Sequence, residues 1–124
     1  MSDCPIQVTV QTEYLANQSE PKRNRYAFAY HITVTNLGDE SVQLLSRHWH
    51  ITDGNNQRQE VQGIGVVGEQ PHISPATSYH YTSGVILETP VGTMAGSYQM
   101  TTPDGDTFDA TIPLFVLAAP GAVH

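Results

Sequence analysis

Tyr26-Ala27-Phe28-Ala29-Tyr30-His31-Ile32-Thr33-Val34-Thr35, YAFAYHITVT, decides the fold. Its even positions carry Tyr26, Phe28, Tyr30, Ile32 and Val34, and its odd positions Ala27, Ala29, His31, Thr33 and Thr35. A period of two is that of a strand with one buried face. The same alternation runs through Ile6-Val8-Val10, with Gln7, Thr9 and Gln11 opposite. It returns near the end of the chain, where Phe108, Ala110, Ile112, Leu114 and Val116 fall on one face and Thr107, Asp109 and Thr111 on the other.

Shorter candidates lie near 42–52, 57–67, 78–87 and 94–101. Asn36-Leu37-Gly38-Asp39, Asp53-Gly54-Asn55-Asn56 and Pro103-Asp104-Gly105-Asp106 are turn formers set between strand patterns. No helical period of useful length is present. The spacing predicts an all-β fold, an antiparallel β-sandwich of seven to eight strands. Trp49 falls in the third strand, where immunoglobulin-like sandwiches bury a tryptophan, and Tyr98 is placed as a tyrosine corner. Met100 stands where antibody domains keep a cysteine, so the expected version is fibronectin type III-like, with no disulfide.

The third strand breaks its own period: Val42 and Leu44 are apolar on even positions, Trp49 and Ile51 on odd ones. A bulge near Leu45-Ser46-Arg47 accounts for the break and is expected to turn Arg47, His48 and His50 to the face opposite Trp49.

A length of 124 residues fits one domain over 1–124, with a core of about 5–117 and a flexible tail over 118–124. Twelve acidic residues against five basic ones give a formal charge of −7, which repels nucleic acid and anionic membranes. Cys4 has no partner for an internal disulfide. The opening MSDCPIQVTV lacks the basic and apolar regions of a signal peptide, and no apolar run reaches the ~18 residues that span a bilayer. These features predict a soluble, cytoplasmic protein.

The stretch Val61 to Pro71, VQGIGVVGEQP, contains G-x-G-x-x-G at Gly63, Gly65 and Gly68. In dinucleotide-binding folds that spacing works because a strand enters the glycine turn and a helix leaves it, aiming free N–H groups at the pyrophosphate. Here Pro71 and Pro75 follow closely and no helix is predicted. In an all-β setting the glycines read as bulges and positive-φ loop positions. If Arg47 and the basic run Lys22, Arg23 and Arg25 converge near the loop, an anion site is expected there without any helix, since a run of backbone N–H groups can form a nest. Alone, that basic run reads as a solvated loop.

Val42-Gln43-Leu44-Leu45-Ser46-Arg47-His48-Trp49, the segment from Gly63 to Pro71 followed by Ile73 and Pro75, Tyr81-Thr82-Ser83-Gly84, Gly96-Ser97-Tyr98 and Ile112-Pro113-Leu114-Phe115 together make the chain resemble the ApaG (CorD) family over nearly its whole length. The resemblance implies a fibronectin type III-like sandwich without enzymatic activity, and a link to cobalt resistance and magnesium efflux. Family domains attached to an F-box protein and to a polymerase-delta-interacting protein imply a protein-interaction module.

No serine sits in a G-x-S-x-G elbow and no base is spaced to serve Cys4, so no catalytic residue is assigned. His48 and His50 alternate on one strand and form a weak candidate metal pair, for which His72, His80, Glu69 or Glu88 would have to supply a third ligand. Asp104-Gly105-Asp106 with Asp109 lacks the EF-hand ligand pattern and reads as a hairpin turn.

The resulting expectation is a non-enzymatic module that binds a protein partner and carries no cofactor. Its binding loop comprises Gly63, Gly65, Gly68, Glu69, Gln70 and Pro71, flanked by Arg47, His48 and His50. A phosphate, pyrophosphate or diadenosine-polyphosphate sensor using the same glycines is the alternative, and a divalent metal-ion regulator the third. Homo-oligomerisation through an edge strand is compatible with each.

Overall fold

The computed structural model describes residues 5–121; Cys4 and positions 122–124 of the expected tail lie outside it. The elements follow as β1 (Ile6–Tyr14), β2 (Tyr26–Asn36), β3 (Val42–Asp53), β4 (Arg58–Ile64), β5 (His72–Ile73), β6 (Ser78–Leu87), β7 (Val91–Thr101) and β8 (Thr107–Ala118). Two short 3-10 turns, Ala16–Gln18 and Pro21–Arg23, lie between β1 and β2. Among the described residues no helix is long and apolar enough to cross a membrane.

All pairings are antiparallel. One sheet has the order β1-β2-β6; the other runs β4-β3-β7-β8, with β5 also on β3. This is the fibronectin type III-like sandwich that the alternation predicts. The two-residue β5 is the strand that a period-two search misses, because two residues carry no period.

Between the sheets, Phe28, Ile32 and Val34 of β2 meet Leu44, Trp49, Met94, Tyr98 and Met100 of the larger sheet, all at most 2% exposed. Trp49 is the aromatic hub, edge-on to Tyr30 (5.4 Å), Phe115 (5.9 Å) and Tyr98 (6.4 Å). Such pairs add about 0.5–1.5 kcal/mol each beyond the area they bury.

Two register shifts set which residues face that core. In β3 the shift falls between Leu44 and Ser46, which is the predicted bulge. The second was not expected. Met94 pairs with Phe115 but Gly96 with Ile112, so β8 holds one extra residue at Pro113-Leu114. Phe115 and Leu117 therefore turn inward, while Leu114 and Val116 are 64% and 50% exposed, contrary to the uninterrupted alternation read from the sequence. Proline cannot donate to the ladder, and a bulge is where a strand tolerates it.

The tyrosine corner is also corrected. Tyr98 lies deep within β7, paired with Arg47, and its hydroxyl meets the Tyr81 hydroxyl of the opposite sheet rather than an upstream backbone group. Burial pushes both phenols well above their ordinary range.

Candidate functional site

β4 leaves the edge of β3 at Ile64 and the chain rejoins that edge at β5, so the glycine segment fills the gap between two pairings. The β3 bulge sits at this gap. Its extra residue, Leu45, offers a carbonyl that accepts the Gly65 N–H (2.8 Å) and the Gln70 Nε2 (2.9 Å). Between these anchors Val66 and Glu69 exchange both backbone hydrogen bonds, 2.8 and 3.0 Å, around a two-residue tip. Val67 (φ +48°) and Gly68 (φ +80°) both have positive φ, the mark of a type I′ turn.

Each glycine of the motif has a local cause. Gly65 has φ +68°, and a Cβ there would run into the Glu69 carbonyl. Gly68 supplies the second positive φ of the tip. Gly63 is a strand residue opposite Arg47, where a Cβ would lie 2.7 Å from the guanidinium. The N–H groups of Gly65, Val66 and Glu69 all donate to protein carbonyls, so the hairpin's own closure uses donors that an anion nest would require. Pro71 ends the segment, its carbonyl accepting the Leu44 N–H (3.0 Å).

Contrary to the expectation from sequence, Arg47 does not share a face with His48 and His50. One bulge resets the phase at Leu45, and normal alternation afterwards puts Arg47 on the inner side with Trp49 and Ile51. Its neighbour across the ladder is the fully buried Tyr98. From there Nη1 donates to the carbonyls of Ile64 (3.2 Å) and Gly65 (2.8 Å), tying β3 to the hairpin stem.

The result is a cleft between the sheets. Tyr30, Arg47 and Trp49 line it below, the hairpin residues Val66, Val67 and Gly68 form one wall, and Tyr81, Thr82 and Ser83 of β6 the other. Stretches far apart in sequence thus converge on one place. Val66 is 0% exposed and anchors the hairpin; Val67 beside it is 64% exposed and Ile64 78%. Glu69 and Gln70 flank the tip.

The basic run stays apart from this cleft. Arg25 pairs with Glu20 (3.7 Å), and the backbone bonds of residues 20–25 close the loop on itself. Tyr26, the residue after it, pairs with Leu87, which lines a groove with Ile51 and Asp53 at the far end of β3 from Leu45. Lys22 and Arg23 are exposed in the same loop. The convergence of Arg47 with Lys22, Arg23 and Arg25 on the glycines does not occur.

His48 and His50 project from the outer face of the larger sheet, their rings 4.6 Å apart. Glu60 of β4, the ladder partner of His50, joins them: His48 Nε2 and Glu60 Oε2 are 2.5 Å apart, and the hydrogen bond from His48 holds the Glu60 carboxyl below its ordinary range. The third residue is therefore none of those considered from sequence. His80 bonds Thr33 on the other sheet, His72 of β5 pairs with Gln43 of β3, Glu88 lines the groove beside Asp53, and Glu69 is on the hairpin. Counting outward from the Asp53–Asn56 turn sets His50 against Gln59; the loop instead closes between Asp53 and Gln57, whose carbonyl accepts the Asp53 N–H (3.0 Å), and that one extra residue brings Glu60 opposite His50.

Comparison with known proteins places these features in a family. The family model described as the ApaG domain matches residues 16–102. A Protein ApaG from Pseudomonas paraeruginosa is 59% identical over 126 residues, covering 100% of each chain, and one from Aromatoleum aromaticum is 56% identical over 119 residues, covering 96% of this chain and 94% of the relative. Among solved structures, an X-ray structure of a structural-genomics target superposes with a TM-score of 0.92 at 51% identity, covering 97% of this chain and 91% of that one. A Bordetella pertussis structure gives 0.91 at 45% identity, with 94% of each chain covered.

Proposed function

The chain belongs to the ApaG family, and from that premise we propose that it is a non-enzymatic, cytoplasmic binding module that docks a protein partner on the 64–70 hairpin and the cleft beside it. The observation that carries this reading is Val67. A β-branched residue with φ +48° is a backbone outlier, costing on the order of 1–2 kcal/mol, and at 64% exposure the larger part of its side chain packs on none of the described residues. Strain held on an exposed apolar tip is what a ligand clamp or docking loop looks like. Ile64, 78% exposed at the hairpin stem, extends the apolar contact, and Val66 and Arg47 keep the tip rigid from below.

The test separates docking from architecture. Val67→Asn creates the Asn-Gly pair that a type I′ turn prefers, so the fold is retained or strengthened while the apolar contact is removed. Affinity capture of wild-type and Val67→Asn chains from a cytoplasmic extract, followed by binding measurements on purified candidates, should yield a partner whose affinity falls at least about tenfold with the variant. Equal binding of every captured protein by the two chains would overturn the reading.

A further inference from the structure

His48, His50 and Glu60 occupy the outer face of the β4-β3-β7-β8 sheet, on the opposite side of β3 from the cleft. They present one ligand atom each, all within 4.8 Å of one another. We propose that these three side chains form a binding site for a divalent transition-metal ion of the Zn2+ class, independent of the docking hairpin.

The strand geometry carries the argument. Residues two apart on a strand point the same way, so His48 and His50 project together without any loop rearrangement. Glu60 stands directly across the ladder from His50 and reaches diagonally to His48, at 2.5 Å from its Nε2. Ligands on a tetrahedral zinc ion lie about 3.4 Å from one another, given bonds of about 2.0–2.2 Å. Small rotations of three short side chains therefore close the observed triangle around an ion, with no backbone movement. All three residues sit inside regular pairing, where a ligand set is held more precisely than on a loop.

The donor types choose the ion. Two imidazoles and one carboxylate match the histidine-histidine-glutamate set of zinc sites that keep an open coordination position, and imidazole is a poor ligand for Mg2+ or Ca2+, which take oxygen. The pair is half-buried and the carboxylate exposed, so an ion enters from solvent and keeps that side open. A formal charge of −7 favours cation approach. Gln62, its amide 3.4 Å from His48 Nε2, is placed to hydrogen-bond a water on the ion.

The direct experiment follows the histidine ring signals by NMR while ZnCl2 is added to the full chain, carried in a Cys4→Ser background so that the thiol cannot compete. His48 and His50 should shift together and saturate near one equivalent, His31, His72 and His80 should stay in place, and millimolar MgCl2 should leave the binding curve unchanged. Glu60→Gln and His50→Gln, each checked for an unaltered metal-free fold by circular dichroism, should weaken binding at least about tenfold. Absence of saturation below about 1 mM ZnCl2, saturation centred on other histidines, or wild-type affinity in the Glu60→Gln chain would overturn the site.

Discussion

Arg47 Nη1 donates to the Gly65 carbonyl at 2.8 Å, and its guanidinium passes over Gly63, where a Cβ would lie 2.7 Å away. The first glycine of the motif thus exists to let an arginine reach the second. Gly63→Ala should displace the guanidinium, whose far end is flexible, and forfeit its bonds to Ile64 and Gly65. A loss of about 1–2 kcal/mol is expected in urea unfolding, since two partly exposed charge-assisted hydrogen bonds are involved. Hydrogen exchange at Val66 should accelerate more than exchange in β2, because the hairpin is what comes loose.

Val67→Asn should move stability the other way. Asparagine tolerates the left-handed region that valine resists, and no buried contact of Val67 is lost, so the variant should gain about 0.5–1.5 kcal/mol in the same unfolding assay. An unchanged or lower stability would mean that Val67 is not strained as its φ of +48° implies.

How far the sequence reaches depends on what each residue's neighbours in the chain reveal. β2 was legible because its alternation is unbroken and its apolar residues are large. The bulge in β3 is legible too, but a bulge spanning Leu45-Ser46-Arg47 leaves the face of Arg47 open, and only the register shift between Leu44 and Ser46 shows that alternation resumes before it and puts it beside Trp49. β8 misled for another reason: Leu114 and Val116 are as apolar as their neighbours, and only Pro113 hinted that the phase slips. The cleft required knowing that β6 faces β3 across the core, which no local pattern states. Glu60 was hidden by one residue: counting from the Asp53–Asn56 turn sets His50 against Gln59, whereas the loop closes between Asp53 and Gln57 and the register moves to Glu60.

Asn36 offers a stability test away from the hairpin. It is 0% exposed, its Nδ2 donates to the carbonyls of Glu40 (2.7 Å) and Ile73 (2.9 Å), and its Oδ1 accepts the Gly38 N–H (2.9 Å). One side chain therefore joins the β2–β3 turn to β5. Asn36→Ala leaves those backbone groups without this partner and should cost about 2–4 kcal/mol, read as a lower urea midpoint. Asn36→Asp should also destabilise, because a carboxylate cannot donate to the two carbonyls.

Tyr81 and Tyr98 give the fold an alkaline limit. Their hydroxyls are hydrogen-bonded to each other between the sheets, and burial raises both acidities' midpoints far above the ordinary 10.0. A phenol with a raised folded pKa binds its proton more tightly in the folded chain than in the unfolded one. Below about pH 10 both states hold the proton and stability is flat; above it the unfolded chain loses protons that the folded chain retains, so stability falls as pH rises. Absorbance titration of the six tyrosines should show phenolate signal missing from the folded protein and released only on unfolding. In Tyr98→Phe one such group is gone, so the decline of urea midpoint with pH above about 10 should be shallower than in the wild type. An equal slope would place the alkaline sensitivity elsewhere.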